Sequence, residues 1–288
     1  KERGAEIEKE DSEGTTPLIV ASRSGHSKIV EIFLGKPVNV DHMNIFGWTS
    51  LLYACANGHL NIVELLLGNG ANKNHWNRRG QTSLMLASFH GHRSMVEFLL
   101  KNEVTMEGRD SDGDTPLALA CFRGNLKIAR LLLDKGAYKE NPNRTGWTPL
   151  VIASHCGHGP VVELLLEKGA NIEHLDHEGR TPLLVASFHG HLDIVRLLLE
   201  KGANKNHWND DGDTALVLAT KQKHLDVVDL LNSWSDGKEP LAFSSIGTLL
   251  VIIFFLISSA MCRVAPWQDC ELSEEKYTQF SEGDEGLA

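Results

Sequence analysis

The chain has 288 residues and a formal net charge of −10, from 28 Lys and Arg against 38 Asp and Glu. The two signs are interspersed along most of its length, which argues against the clustered basic face of a nucleic-acid-binding surface. Five cysteines without a CxxC pair or an even spacing argue against a disulfide framework or a structural zinc site.

The organising feature is a period. Gly14, Gly47, Gly80, Gly113, Gly146, Gly179 and Gly212 follow one another at 33 residues every time, without insertion or deletion. A fixed period of this length signals a stack of similar units, not one globular core. Residues 4–8 align with 169–173, so the chain opens inside a unit and reads as a piece of a longer protein.

Within each unit the same grammar recurs. Three residues before the glycine stands Asp or Asn (Asp11, Asn44, Asn77, Asp110, Asn143, Asp176, Asn209), as a turn needs. Thr then precedes Pro at Thr16, Thr115, Thr148 and Thr181, which predicts an N-cap followed by a first-turn proline. A short apolar helix follows, ended by Gly25, Gly58, Gly91, Gly124, Gly157 or Gly190 in a left-handed conformation. A second helix carries apolar residues at helical spacing, such as Ile62, Val63, Leu65, Leu66 and Leu67. Ser50, Ser83 and Ala215 replace the proline and are expected to soften three helix starts.

The last unit decays. Lys223 stands where the helix-ending glycine would be, and no Gly-Ala turn follows Leu231, which is how a terminal cap looks. The register predicts a partial unit at 1–10, units at 11–43, 44–76, 77–109, 110–142, 143–175 and 176–208, and a C-terminal capping unit at 209–234. A linker at 235–240 leads to a stretch with no charged residue. At about 1.5 Å per residue this stretch reaches roughly 35 Å, enough for one transmembrane helix, assigned to 241–262. Residues 263–288 read as an acidic disordered tail. Cys262, at the end of the span, fits S-acylation and an ordinary lipid-facing thiol equally.

This grammar resembles the ankyrin repeat, over roughly residues 1–235. The resemblance implies an all-α solenoid of helix-turn-helix units joined by β-turn or hairpin loops, here in seven copies. One departure stands out. The family has His after Thr-Pro-Leu, tying neighbouring turns together, whereas this slot holds Ile19, Leu52, Met85, Ala118, Val151, Leu184 and Val217. Cohesion is therefore expected to rest more on apolar packing and less on that hydrogen bond.

No catalytic motif, phosphate loop or metal-spaced cluster is present, so neither catalysis, a metal nor a cofactor is expected. Fourteen histidines invite a metal reading. Six of them (His26, His59, His92, His158, His191, His224) fill one Gly-His slot, and four more (His42, His75, His174, His207) fill another, which favours a structural role. Cys55 and Cys121 share the small-residue slot of Ser22 and Ser88 and read as buried, reduced thiols.

The ankyrin resemblance implies a binding surface on the concave face, made of turn tips and the end of the first helix. Those slots hold Phe46, Trp48, Arg78, Arg79, Phe89, His90, Phe122, Arg123, Trp147, Arg180, Phe188 and His189, an aromatic and arginine composition typical of interface hot spots. Phe89, Phe122 and Phe188 fall in one slot expected to face solvent. Trp76 and Trp208 fit either packing between turns or facing a partner.

The expected function is a non-catalytic, membrane-anchored scaffold. Its array faces the cytosol, its partners are proteins on the concave face and the lipid bilayer at 241–262, and no nucleic acid or small-molecule substrate is expected. Two alternatives remain open at this stage: the cytosolic region of a channel or transport assembly, and a substrate-recruiting adaptor for an enzyme encoded upstream.

Overall fold

The computed structural model describes residues 7–234, all within the first of the two units into which the chain divides at Leu241. The linker, the expected span at 241–262 and the acidic tail lie outside the described residues, as do residues 1–6. Among the described residues no helix is long and apolar enough to cross a membrane.

Fourteen helices are described, in alternating short and longer members, with three isolated β-bridges and no extended strand among the described residues. The first members are α1 (Pro17–Arg23), α3 (Ser50–Ala56), α5 (Ser83–Phe89), α7 (Pro116–Phe122), α9 (Pro149–His155), α11 (Pro182–Phe188) and α13 (Ala215–Lys221). Their companions are α2 (Ser27–Leu34), α4 (Leu60–Gly68), α6 (Arg93–Lys101), α8 (Leu126–Asp134), α10 (Gly159–Glu167), α12 (Leu192–Glu200) and α14 (Leu225–Ser233). Each first helix packs on its companion and on the first helices before and after it. First helices meet one another more densely than second helices do. The stack therefore curves with the first helices on its concave side.

Every first helix starts on a threonine whose hydroxyl accepts the backbone N–H three residues on, from Thr16 to Thr214. Three of these helices begin on Ser50, Ser83 and Ala215, and they are as long as those with proline, at seven residues. The threonine cap alone is enough to set the start. In α5 the Met85 sulfur additionally accepts the Thr82 N–H at 3.4 Å.

The slot that holds histidine elsewhere in the family is apolar throughout and buried in all but the last unit: Ile19, Leu52, Met85, Val151 and Leu184 are 0% exposed and Ala118 2%, whereas Val217 is half-buried. That hydrogen bond is absent from these units, and two other histidine rows join them instead. His42, His75, His174 and His207 each place Nε2 2.8–3.0 Å from the carbonyl of the preceding tip glycine. His59, His92, His158, His191 and His224 place Nε2 at 2.8–3.0 Å from carbonyls at the end of the preceding first helix. A carbonyl only accepts, so Nε2 carries the proton in both rows. These five residues occupy the N-cap position of the second helices yet make no side-chain cap bond. Their rings reach back to the neighbouring unit instead.

The ring row also dictates the residue beneath it. Gly157 has φ +77°, and a Cβ there would lie 2.8 Å from the His191 ring. Lys223 holds the same backbone conformation at φ +64°, with no following described unit to press on it. Gly157→Ala should therefore cost about 2 kcal/mol or more, from left-handed strain plus the collision. Lys223→Gly should change stability by less than about 1 kcal/mol. Urea unfolding midpoints check both, and an unchanged midpoint for Gly157→Ala would remove the histidine row as a determinant of stacking.

Candidate protein-binding groove and hairpin tips

The tips are built from the sequence upward. At six of the seven described tips the Asp or Asn before the glycine turns its Oδ1 onto two backbone N–H groups, as Asn77 does to Arg79 and Gln81 at 2.9 and 3.1 Å, while Asn209 accepts from Asp213. Successive tips are then joined by backbone hydrogen bonds: Arg78 N–H to Phe46 O at 3.0 Å, Ser111 to Arg79 at 2.7 Å, Arg144 to Asp112 at 2.9 Å. Residues on neighbouring tips thus keep a fixed spacing.

Four of the expected binding residues are buried. Phe89 is 4% exposed, Phe122 9%, Trp147 3% and Arg180 6%. The expectation of a solvent-facing phenylalanine slot is corrected for Phe89 and Phe122, and Phe188 is half-buried. The cause is stacking between units. The Phe89 and Phe122 rings lie 6.1 Å apart and nearly parallel, and the Arg123 guanidinium covers Phe89 at 5.0 Å. Side chains in one slot of adjacent short helices are close enough to shield each other, so the row fills the floor of the groove.

Trp147 and Arg180 form a second buried group. The Trp147 indole donates to Asp176 Oδ2 at 2.9 Å, and Arg180 Nε donates to the same oxygen at 2.7 Å. Arg180 also pairs with Glu178 at 2.7 Å and lies over the Trp147 ring at 5.5 Å. Arg180 thus serves the fold by neutralising a buried carboxylate. Beside this group His155 packs 4.7 Å from Trp147 and 4.2 Å from His189. Burial pushes His155 down to about 3, with His189, His191 and Arg180 adding to the effect. Burial, then His92 and Arg123, pushes His90 down to about 4. Both rings are neutral at physiological pH and line the groove as polar aromatics.

The remaining expected residues keep accessible surface. Phe46 is 49% exposed, Arg78, Arg79 and Arg123 are exposed, and Trp48, His90, Phe188 and His189 are half-buried. Trp48 stacks on Tyr53 at 4.6 Å, at the edge of the groove. Trp76 and Trp208, which fitted two roles, are 63% and 66% exposed. Met43 at 57% and Leu175 at 48% were missed, although they share the slot of those tryptophans, one residue before the Asp or Asn. That shared slot was the available signal.

Among the described residues no group of three or more His, Cys, Asp or Glu is placed to hold a metal. Cys55, Cys121 and Cys156 are free thiols; burial raises all three, Cys156 to about 12.

A curved stack of helix pairs, joined by hairpin tips and lined by aromatic and cationic side chains, defines a repeat protein of the binding class. The chain belongs to the ankyrin-repeat family: a family model described as ankyrin repeats (3 copies) matches residues 2–77, 18–110, 84–176 and 169–242. These overlapping matches identify the family, not the number of units. The crystal structure of the human ASB11 ankyrin repeat domain is similar at 29% identity and a TM-score of 0.69, over 79% of this chain and 100% of that one. No curated protein matches the chain.

One turn carries a testable cost. Asp110 is pushed up to about 7, chiefly by burial and then by Asp114. A carboxyl raised above its unfolded value binds its proton more tightly in the fold, so stability is lost as pH rises from about 4 to about 7. Asn already fills this slot at Asn44, Asn77, Asn143 and Asn209, with the same Oδ1 contact to the N–H four residues on. Asp110→Asn should therefore stabilise the protein by roughly 2 kcal/mol at pH 8 and by little at pH 4. Denaturation at the two pH values checks this, and an equal effect at both would exclude ionisation as the cause.

Proposed function

We propose that the chain is a non-catalytic, membrane-anchored scaffold that holds partner proteins stoichiometrically against the concave side of its array. The observation that carries this reading is the set of exposed side chains on rigid tips along one side: Phe46 and Trp76 with Arg78 and Arg79, and Arg123 at the groove edge. Aromatic and arginine side chains on a preorganised surface contribute the most per residue to association, because little freedom remains to be lost. The half-buried Trp48, His90, Phe188 and His189 form the groove wall that such a partner would meet.

Anchoring rests on the uncharged stretch 241–262, which has the length and composition of one membrane span. The array then lies on the cytosolic side, in keeping with its free thiols.

The double variant Phe46→Ser, Arg123→Glu tests the surface, with Lys127→Glu on α8 as its control. In cross-linking capture followed by mass spectrometry, proteins held by the parent should fall at least about tenfold with the double variant and not with the control. Equal capture would remove the concave face from the reading. In alkaline carbonate extraction the 288-residue chain should stay in the membrane pellet, and a chain lacking 241–262 should be released. Release of the intact chain would overturn the anchor alone.

A further inference from the structure

The first three described tips differ in character at the same three positions, one before and two after the Asp or Asn. The first exposes Glu10, Ser12 and Glu13, the second Met43, Ile45 and Phe46, and the third Trp76, Arg78 and Arg79. An acidic, an apolar and a basic tip thus follow one another. The residues around them keep this order. Residues 8–14 carry four acidic side chains against Lys9, residues 41–47 carry Asp41 alone, and residues 74–80 carry the two arginines and no acid. Asp41 is occupied by the fold, where its carboxylate accepts the Asn72 N–H at 2.8 Å.

The middle tip is apolar at all three positions: Met43, Ile45 and Phe46 are 57%, 46% and 49% exposed. Backbone bonds fix the row, with the Ile45 N–H given to Glu13 O at 2.9 Å and the Arg78 N–H to Phe46 O at 3.0 Å. Glu10 lies 3.6 Å from His42, whose Nε2 is already given to Gly14 O. Arg79 has a contact of its own within the chain, which leaves Glu13 and Arg78 as the uncommitted charges at the two ends. A row running from acid through apolar to base is complementary to itself reversed. An antiparallel two-fold axis through the middle tip sets Glu13 against Arg78 of a second copy, twice over, and Phe46 against its own counterpart. An axis through the first or third tip opposes like charges instead. The spacing matches without adjustment, because the two-fold maps the distance between tips onto itself.

We propose that two copies of this chain associate antiparallel through the tips of residues 11–14, 44–47 and 77–80. Met43, Ile45 and Phe46 of both copies form the apolar centre, and two Glu13–Arg78 pairs close its ends. This goes beyond the scaffold reading and does not depend on it. Phe46 and Trp76 also belong to the surface assigned there to partner proteins, so pairing competes with capture. Glu10 and Glu13 balance Arg78 and Arg79, so the repulsion between two chains of net charge −10 is least along this row. The next tip carries Asp110 and Asp112 but falls outside the three-tip overlap. Three apolar side chains per copy place the contact at the small end of specific interfaces, below about 1,200 Å² in total, where association is weak and reversible. The end charges then select the antiparallel arrangement and penalise every other.

The test is sedimentation velocity on the detergent-purified 288-residue chain, which should pass from monomer to dimer between about 1 and 100 µM. Glu13→Arg places two like-charged pairs in every dimer, and so does Arg78→Glu. Either should weaken association at least about tenfold, while Lys127→Glu leaves it unchanged. Both reversals in one chain restore a complementary row and should return the parent's dissociation constant. An equimolar mixture of the two single variants should also pair as the parent does, since each then meets unlike charge at both ends. That recovery shows in addition that both variants fold. All these chains keep residues 241–262, so association through that stretch is common to them and does not separate the variants. The proposal is overturned if the parent stays monomeric throughout or if the single variants associate as the parent does. It is also overturned if the double variant or the mixture fails to recover, because the row would then face something other than a second copy. Partner capture is a separate measurement, so self-association and the scaffold reading can each fail while the other holds.

Discussion

The stack depends on one recurring interaction, an imidazole Nε2–H given to a carbonyl of the unit before. The last carbonyls of any helix have no partner inside it. Here the ends of the first helices are answered by the next unit's histidine, at Arg23, Ala56, Phe122, His155 and Phe188. Asn125 performs the same task on Ser88 and Phe89 through its side-chain amide. Each described first helix but the last is therefore completed by its successor, and the units cannot be regarded as independent domains. Stability in such an array is a sum of unit and neighbour contributions.

That constraint explains the two ends. His26 belongs to the same row, yet it is exposed and has no preceding described helix whose carbonyl it could meet. Ile29 is 44% exposed, whereas its counterparts Ile62, Met95, Ile128, Val161, Ile194 and Val227 are at most 2% exposed. Its row of counterparts shows what that position does when a neighbour covers it. At the other end Lys223 fills a glycine slot, whereas at its counterparts Gly124, Gly157 and Gly190 a Cβ would collide with the following imidazole.

Much of this was legible in the sequence because it repeats. The 33-residue glycine spacing gave the unit, the threonines gave the helix starts, and the grouping of histidines into two slots pointed to structure, not metal. The groove was less legible for a physical reason. A period assigns each residue to a slot, but exposure depends on the distance between equal slots in adjacent units. Phe89 and Phe122 share a slot on neighbouring seven-residue helices, so their rings cover each other. Alignment alone cannot distinguish that from two rings side by side in solvent. Trp147 and Arg180 were misread differently: both surround Asp176, and a shared acceptor 29 residues from one and four from the other leaves no local pattern.

The duplicated segments show where specificity can lie. Ala71–Asn77 and Ala203–Asn209 have the same seven residues. They fold alike: His75 and His207 each reach the previous tip carbonyl, and Trp76 and Trp208 are 63% and 66% exposed. Up to that point the two tips offer a partner the same surface. The next two residues are Arg78 and Arg79 in one copy and Asp210 and Asp211 in the other. The same indole is thus presented beside two positive charges at one site and two negative charges at the other. Indole burial contributes affinity at either site without choosing between partners, whereas reversed charge next to it penalises the wrong one. In the proposed scaffold, selection between the two halves of the array would therefore fall to the pair after the asparagine, where the two tips differ.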